Sequence, residues 1–150
     1  MDNIDLSILK CLKENSRQTA SMIIQTINLS VSAVIERIRK MESKGMIQKY
    51  TVVLDEKQLG NDLTVFVSVR LEHPKYGNEF AREAAQHPHV AECYYIAGDV
   101  DYLLKIVTDS SRSLESIHQD IKEMPGVSWT KTLYVLSTIK NDISVLPQEL

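Results

Sequence analysis

The stretch Ile23–Tyr50, IIQTINLSVSAVIERIRKMESKGMIQKY, decides how the first third of this chain is read. It spells the end of a short helix, a tight turn, a second helix and a β-strand. In the second helix Val31, Val34, Ile38 and Met41 recur at helical spacing, while Ser32, Glu36, Arg37, Arg39 and Lys40 fill the other face. Two helices joined by a three-residue turn, the second basic and polar outward, is the layout of a DNA-reading helix-turn-helix. The same pattern also suits an ordinary amphipathic pair in a small α-domain. Local chemistry supports the boundaries. Asn28 stands where the chain leaves the earlier helix of this pair sharply, and Asn tolerates a left-handed conformation there. Ser30 is placed to cap the latter helix of this pair, and Gly45 follows Lys44 as a natural stop.

Charge is distributed unevenly. Residues 1–50 hold eight basic and five acidic side chains, a net of +3, and the rest of the chain carries −6. A basic end on an acidic chain suggests a nucleic-acid-binding part joined to something else. A net of +3 is modest, so dimerisation, which doubles the phosphate contacts, is expected. No apolar run is long enough to span a membrane, and the opening MDNIDLSILK lacks the build of a secretory signal. Cys11 and Cys93 form no CxxC pair and read as small core residues in a reducing compartment, which points to the cytoplasm.

Working outward, a first helix spans about Ile4 to Asn15, with Ile4, Ile8, Leu9, Cys11 and Leu12 inward. A second runs from Ala20 to Ile27, capped by Thr19, with Ile23, Ile24 and Ile27 facing in. Met46 to Leu54 is rich in β-formers and is expected to be a strand. The expected division is a helix-turn-helix domain over 1–50, a polar linker over 51–61, a second domain over 62–140 and a tail over 141–150. In the second domain Leu63, Val65, Val67, Val69 and Leu71 share one face of a strand. A short helix around Phe80–Ala85, strands over Val90–Ala97 and Asp101–Thr108, a helix with the stripe Leu114, Ile117, Ile121, Met124 and a strand over Trp129–Ile139 follow. The order βαββαβ predicts a ferredoxin-like sandwich, so the fold class is α+β. An open sheet face carrying Thr64, Phe66, Ser68 and Tyr134 should pair with a second copy.

If Val34, Ile38 and Met41 face inward, the early positions of the recognition helix meet base edges and its later cations meet phosphates. Ser32, Ala33 and Glu36 are therefore candidate base readers, Glu36 as acceptor for a cytosine amine. Arg37, Arg39 and Lys40 would anchor the backbone of double-stranded DNA, although a solvated helix face suits Arg39 equally well, and the amides behind Ser30 suit a phosphate. Ile35 is expected to pack against the helix over Ile4–Asn15, the alternative being contact with a thymine methyl in the major groove. The turn Gly98-Asp99-Val100-Asp101 offers amides to a carboxylate and acids to an ammonium, which fits a free amino acid at both ends; an ordinary hairpin turn fits it as well. His87-Pro88-His89 lacks a third ligand at metal spacing, so no metal or cofactor is expected, and no catalytic triad or phosphate loop is present.

The chain resembles the Lrp/AsnC (feast/famine) transcriptional regulators over nearly its whole length. The resemblance is carried by Asp2-x-x-Asp5-x-x-Ile8-Leu9, Asn15-Ser16-Arg17, Leu29-Ser30, Val34-x-x-Arg37-Ile38-x-x-Met41-Glu42 and Gly45-Met46-Ile47. Further along it rests on Pro88-x-Val90, Gly98-x-x-Asp101-Tyr102-Leu103-Leu104, Pro125-Gly126-Val127 and Thr130-x-Thr132. It implies a winged helix-turn-helix, a linker strand, an amino-acid-sensing ferredoxin-like domain and homodimers that assemble further, commonly to octamers. It also implies an effector site near the Gly98 turn, at contacts between dimers, with Thr130 and Thr132 close by. Ile24 stands where the family has a small residue, Asn28 where it has Gly, and Ile35 where it is often polar. Siroheme decarboxylases share the fold and supply an enzyme alternative, against which the basic Arg37-Ile38-Arg39-Lys40 run argues. An effector-independent assembly module is the third reading.

Overall fold

Asp2 and Asp5 start the first helix by capping each other's turn: Asp2 accepts the Asp5 N–H at 2.8 Å, and Asp5 accepts the Asp2 N–H at 3.1 Å. The computed structural model describes residues 1–148, so the last two positions of the expected tail lie outside it. Helix α1 covers Asn3–Glu14, α2 Ala20–Ile23 and α3 Val31–Ser43. Thr19 caps α2, as expected, but α2 ends four residues before Ile27. The β-branched Ile23, Ile24, Thr26 and Ile27 are poor helix formers, and beyond Ile23 the chain tightens into bonds from Gln25 to Met22 and from Thr26 to Ile23. Asn28 is not left-handed, contrary to expectation, since no described non-glycine residue has positive φ. The reversal is made by a bond from the Leu29 N–H to the Ile27 carbonyl at 2.8 Å, a γ-type turn that needs no positive φ.

Helix α3 stops sharply at Gly45, whose φ is 69°. The Met46 N–H bonds the Met41 carbonyl and the Gly45 N–H bonds the Glu42 carbonyl, the paired closure of a glycine-terminated helix. Ile8, Leu12, Ile23, Val34 and Met41 form the buried centre, ringed by Ile4, Leu9, Cys11, Ala20, Ile24, Ile27, Leu29, Ile38 and Ile47. The expected strand over Met46–Leu54 is not formed. A strand needs a neighbour for its N–H and C=O groups, and this segment has none among the described residues. Val52 and Val53 stay 72% and 70% exposed.

The chain divides into two compact units, Met1–Val53 with the segment from Lys140, and Leu54–Ile139. Within the first, Asp142 pairs with Lys13 at 3.1 Å. The second holds β1 (Leu63–Leu71), α4 (Gly77–Gln86), β2 (Val90–Tyr95), β3 (Tyr102–Thr108), α5 (Ser111–Glu123) and β4 (Val127–Tyr134). The sheet is antiparallel in the order β2-β3-β1-β4, so the unit is ferredoxin-like and the chain α+β. Val65, Val67, Val69, Leu104 and Ile106 pack against Phe80, Ala84, Leu114, Ile117, Ile121 and Met124 from the helices. Strand β4 stops at Tyr134 rather than Ile139: the Val135 N–H still bonds the Thr64 carbonyl at 3.0 Å, but β1 begins at Leu63, one residue further, and has no partner for the residues up to Ile139. Pairing also corrects the face of Tyr134. It lies opposite Val65, on the helix-covered side, and the open face instead carries Phe66, Arg70, Leu103, Trp129, Lys131 and Leu133.

Candidate nucleic-acid interface and effector turn

The start of α3 is fixed by Ser30, whose hydroxyl accepts the Ala33 N–H at 3.2 Å and lies 3.1 Å from the Ser32 hydroxyl. The N–H groups of Val31 and Ser32 meet no acceptor among the described residues, which leaves them available to an anion. Replacing Ser30 by Ala should therefore lower the stability of the N-terminal unit by about 1 kcal/mol in denaturant melts, the usual value of such a cap. No change in the melt would show that the hydroxyl is not the working cap.

Ser32, Glu36, Arg39 and Lys40 are exposed on α3, and Ala33 is half-buried. Ile35 is exposed, at 37%, and takes no part in the core, so the expected packing against the first helix is not found. Arg37 does not project freely either. Its Nη1 donates to Asp2 at 2.8 Å and to Asp5 at 2.7 Å. The Asp5 backbone N–H, with Arg37, holds the Asp2 carboxyl below its usual range, and the two acids raise the Arg37 pKa. Arg37 lies beside a groove of about 410 Å³ that Asp2, Asp5, Ala33, Glu36 and Lys40 also line. Beyond the helix, the Tyr50 hydroxyl donates to Glu42 at 2.9 Å; burial, then that carboxylate, push its pKa up to about 12.

The turn from Gly98 to Asp101 is held from three sides. Gly98 has a φ of 143°, a conformation that suits glycine. The Asp99 carbonyl accepts two bonds from Arg70, at 3.0 Å from Nε and 2.8 Å from Nη2. Asp101 donates its N–H to the Val69 carbonyl at 2.9 Å, and its carboxylate accepts the Leu71 N–H at 2.7 Å. The N–H groups of Gly98, Asp99 and Val100 meet no acceptor among the described residues. Thr130 and Thr132 are not gathered into this turn. They sit across from Val69 and Val67 on β4, with β1 in between, so two strand spacings, roughly 10 Å, separate them from β3. Thr130 instead meets His118 at 3.0 Å, and burial, then Lys122, lower the His118 pKa. Arg70 escaped the sequence reading, although it also lies 5.3 Å from the Trp129 ring. Its only signal was its place at the end of an alternating strand.

Residues 1–48 match the winged helix-turn-helix DNA-binding profile, and residues 64–145 match that of the Lrp/AsnC ligand binding domain. The chain belongs to the Lrp/AsnC family. The HTH-type transcriptional regulator FL11 of Pyrococcus horikoshii is 35% identical over 93% of this chain and 92% of its own. The leucine-responsive regulatory protein of Escherichia coli is 32% identical over 93% and 87%. Among solved structures, a transcriptional regulator of Neisseria meningitidis in complex with L-methionine superposes with a TM-score of 0.92 at 26% identity, covering 97% of this chain and 96% of its own. A feast or famine regulatory protein of Mycobacterium tuberculosis, also with L-methionine, gives 0.90 at 30% over 97% and 99%. This Lrp/AsnC chain is a DNA-binding transcriptional regulator, and the regulators it matches decide against the enzyme alternative.

Proposed function

We propose that this regulator reads duplex DNA with α3 and answers to a free amino acid held at the Gly98–Asp101 turn. Ser32, Ala33 and Glu36 face base edges, the amides behind Ser30 meet a phosphate, and Arg39 and Lys40 anchor the backbone. The observation that carries the effector reading is the turn itself. Its three unengaged N–H groups suit a carboxylate, and the carboxylates of Asp99 and Asp101 beside them suit an ammonium group. The two methionine-bound neighbours favour the same class of ligand. Thr130 and Thr132 belong to the site only if another copy brings them to the turn. The working protein is a homodimer that assembles further, to an octamer, in the cytoplasm. No described helix is long and apolar enough to cross a membrane.

The test is a gel shift on the DNA upstream of the protein's own gene, paired with calorimetry against all twenty amino acids. Binding of one amino acid together with an altered shift supports the reading. A shift with no amino acid bound would leave a regulator that works without an effector. The division into 1–50, 51–61, 62–140 and 141–150 makes a separate prediction. A fragment lacking residues 1–60 should remain folded and oligomeric, because residues 62–140 carry their own core and the open sheet face. A monomer by light scattering would move the dimer contacts to the N-terminal part.

A further inference from the structure

We infer that Arg37, Asp2 and Asp5 form a bracket that sets the angle of the recognition helix, and that Arg37 acts on DNA through this bracket rather than by touching a phosphate. The inference rests on the reading of α3 as the DNA-reading helix. Both ion pairs leave from one nitrogen, Nη1, and reach the first turn of α1 from the middle of α3. The Arg37 and Asp5 side chains are only 30% and 16% exposed. The two carboxylates cannot swing away freely, since each also caps the other's backbone N–H. One guanidinium against two carboxylates leaves a local charge of −1, and such a group repels a phosphate. Arg39 and Lys40 differ. They are exposed and make no ion pair among the described residues, so they remain the cations that neutralise DNA.

The bracket lies beside the base-reading positions. Ala33 is four residues before Arg37 on the helix, and Glu36 is its neighbour. Base-edge hydrogen bonds fail when donor and acceptor shift by much less than 1 Å beyond their normal range, whereas long cationic side chains follow a phosphate through such a shift. Loss of the bracket should therefore weaken specific binding and spare non-specific binding. A merely structural weakening would lower both together.

The experiment uses the full chain, with Asp5→Asn, Arg37→Lys and Arg37→Ala variants. Each is checked by circular dichroism as folded at the assay temperature. Two duplexes serve as probes, one selected by the wild type from a random library and the other poly(dI-dC), read by fluorescence anisotropy across a salt series. Asp5→Asn should weaken binding to the selected duplex about tenfold, the scale of one lost specific contact. Electrostatics alone predicts the opposite sign, because that change removes a negative charge from a DNA-binding surface. Binding to poly(dI-dC) should not weaken. The salt slope of Arg37→Ala should match the wild type, and Arg37→Lys should recover part of the loss, since an ammonium meets carboxylates from one nitrogen, as Nη1 does, but on a shorter stem. Tighter or unchanged binding by Asp5→Asn overturns the bracket. So does a slope for Arg37→Ala flatter by about 0.9, the signature of one lost phosphate contact. If Arg37→Ala does not fold, Asp5→Asn and Arg37→Lys decide alone. A wild type that selects no duplex overturns the reading of α3 itself, and the bracket with it.

Discussion

Replacing Gly126 by alanine is expected to lower the stability of the C-terminal unit by about 2–4 kcal/mol, from a left-handed backbone and an overfilled site acting together. Gly126 has a φ of 76°, and a Cβ there would overlap the Cβ, Cγ and Cδ2 atoms of Tyr76. A rotamer change would move Cγ and Cδ2, but the Cβ is fixed by the Tyr76 backbone, so the overlap with it persists. Backbone movement is restrained as well, because the Gly126 carbonyl accepts the Glu72 N–H at 2.8 Å. Gly60→Ala is the internal control. Gly60 has a φ of 86° but open space around it, so that variant reports the backbone term without the collision. Urea melts of both variants decide the matter. An equal loss in the two would show that Tyr76 gives way at no cost.

Asp101→Ala is expected to abolish any response to a free amino acid and to reduce stability at the same time. Its carboxylate holds the Leu71 N–H at 2.7 Å in a half-buried position. Stranding that donor should cost about 1–3 kcal/mol. Removing the partner of a bound ammonium should weaken the amino acid by about 2–5 kcal/mol, enough to erase most affinity. Asp101→Asn separates the two effects, because its amide oxygen still accepts from Leu71 while its charge is gone. The Asn variant should melt near the wild type yet bind the amino acid poorly in calorimetry. Equal affinity in that variant would place the ammonium partner elsewhere. DNA binding without amino acid should persist in both, since α3 is untouched.

Most of the architecture was legible because periodicity was strong. The alternation of Leu63 to Leu71 and the stripe from Leu114 to Met124 fixed a strand and a helix, and both are found. Capping at Thr19 and Ser30 was legible for the same reason: a short oxygen side chain before an apolar repeat has one main use. The misses share a different cause. The failed strand at Met46–Leu54 and the shortened β4 depend on whether a neighbour exists, which no local pattern encodes. The face of Tyr134 turned on register, where an error of one residue reverses a side chain. The exposure of Ser32, Glu36, Arg39 and Lys40 could be read from helix geometry, but the capture of Arg37 by Asp2 and Asp5 joins residues 35 and 32 apart in the chain. The position of Arg37 near the inward stripe was the one hint, and the basic run around it masked it.

Arg70 gives the C-terminal unit a property beyond holding a turn. The same guanidinium that grips the Asp99 carbonyl lies over Trp129, and Arg70 and Trp129 are paired on the uncovered side of the sheet. One side chain is therefore common to two surfaces. If the turn holds the proposed amino acid and binds it differently in the two rest positions of Arg70, whatever seats against Trp129 and shifts that side chain alters the affinity of the turn. Thermodynamic linkage then requires the ligand to alter the affinity of that seat by the same factor, with the sign set by whichever state Arg70 prefers. If the open face seats a second copy and the turn holds an amino acid, as proposed, assembly and sensing would be two readings of a single equilibrium, and Arg70→Lys, which keeps the charge but loses the fork, is the substitution that would uncouple them.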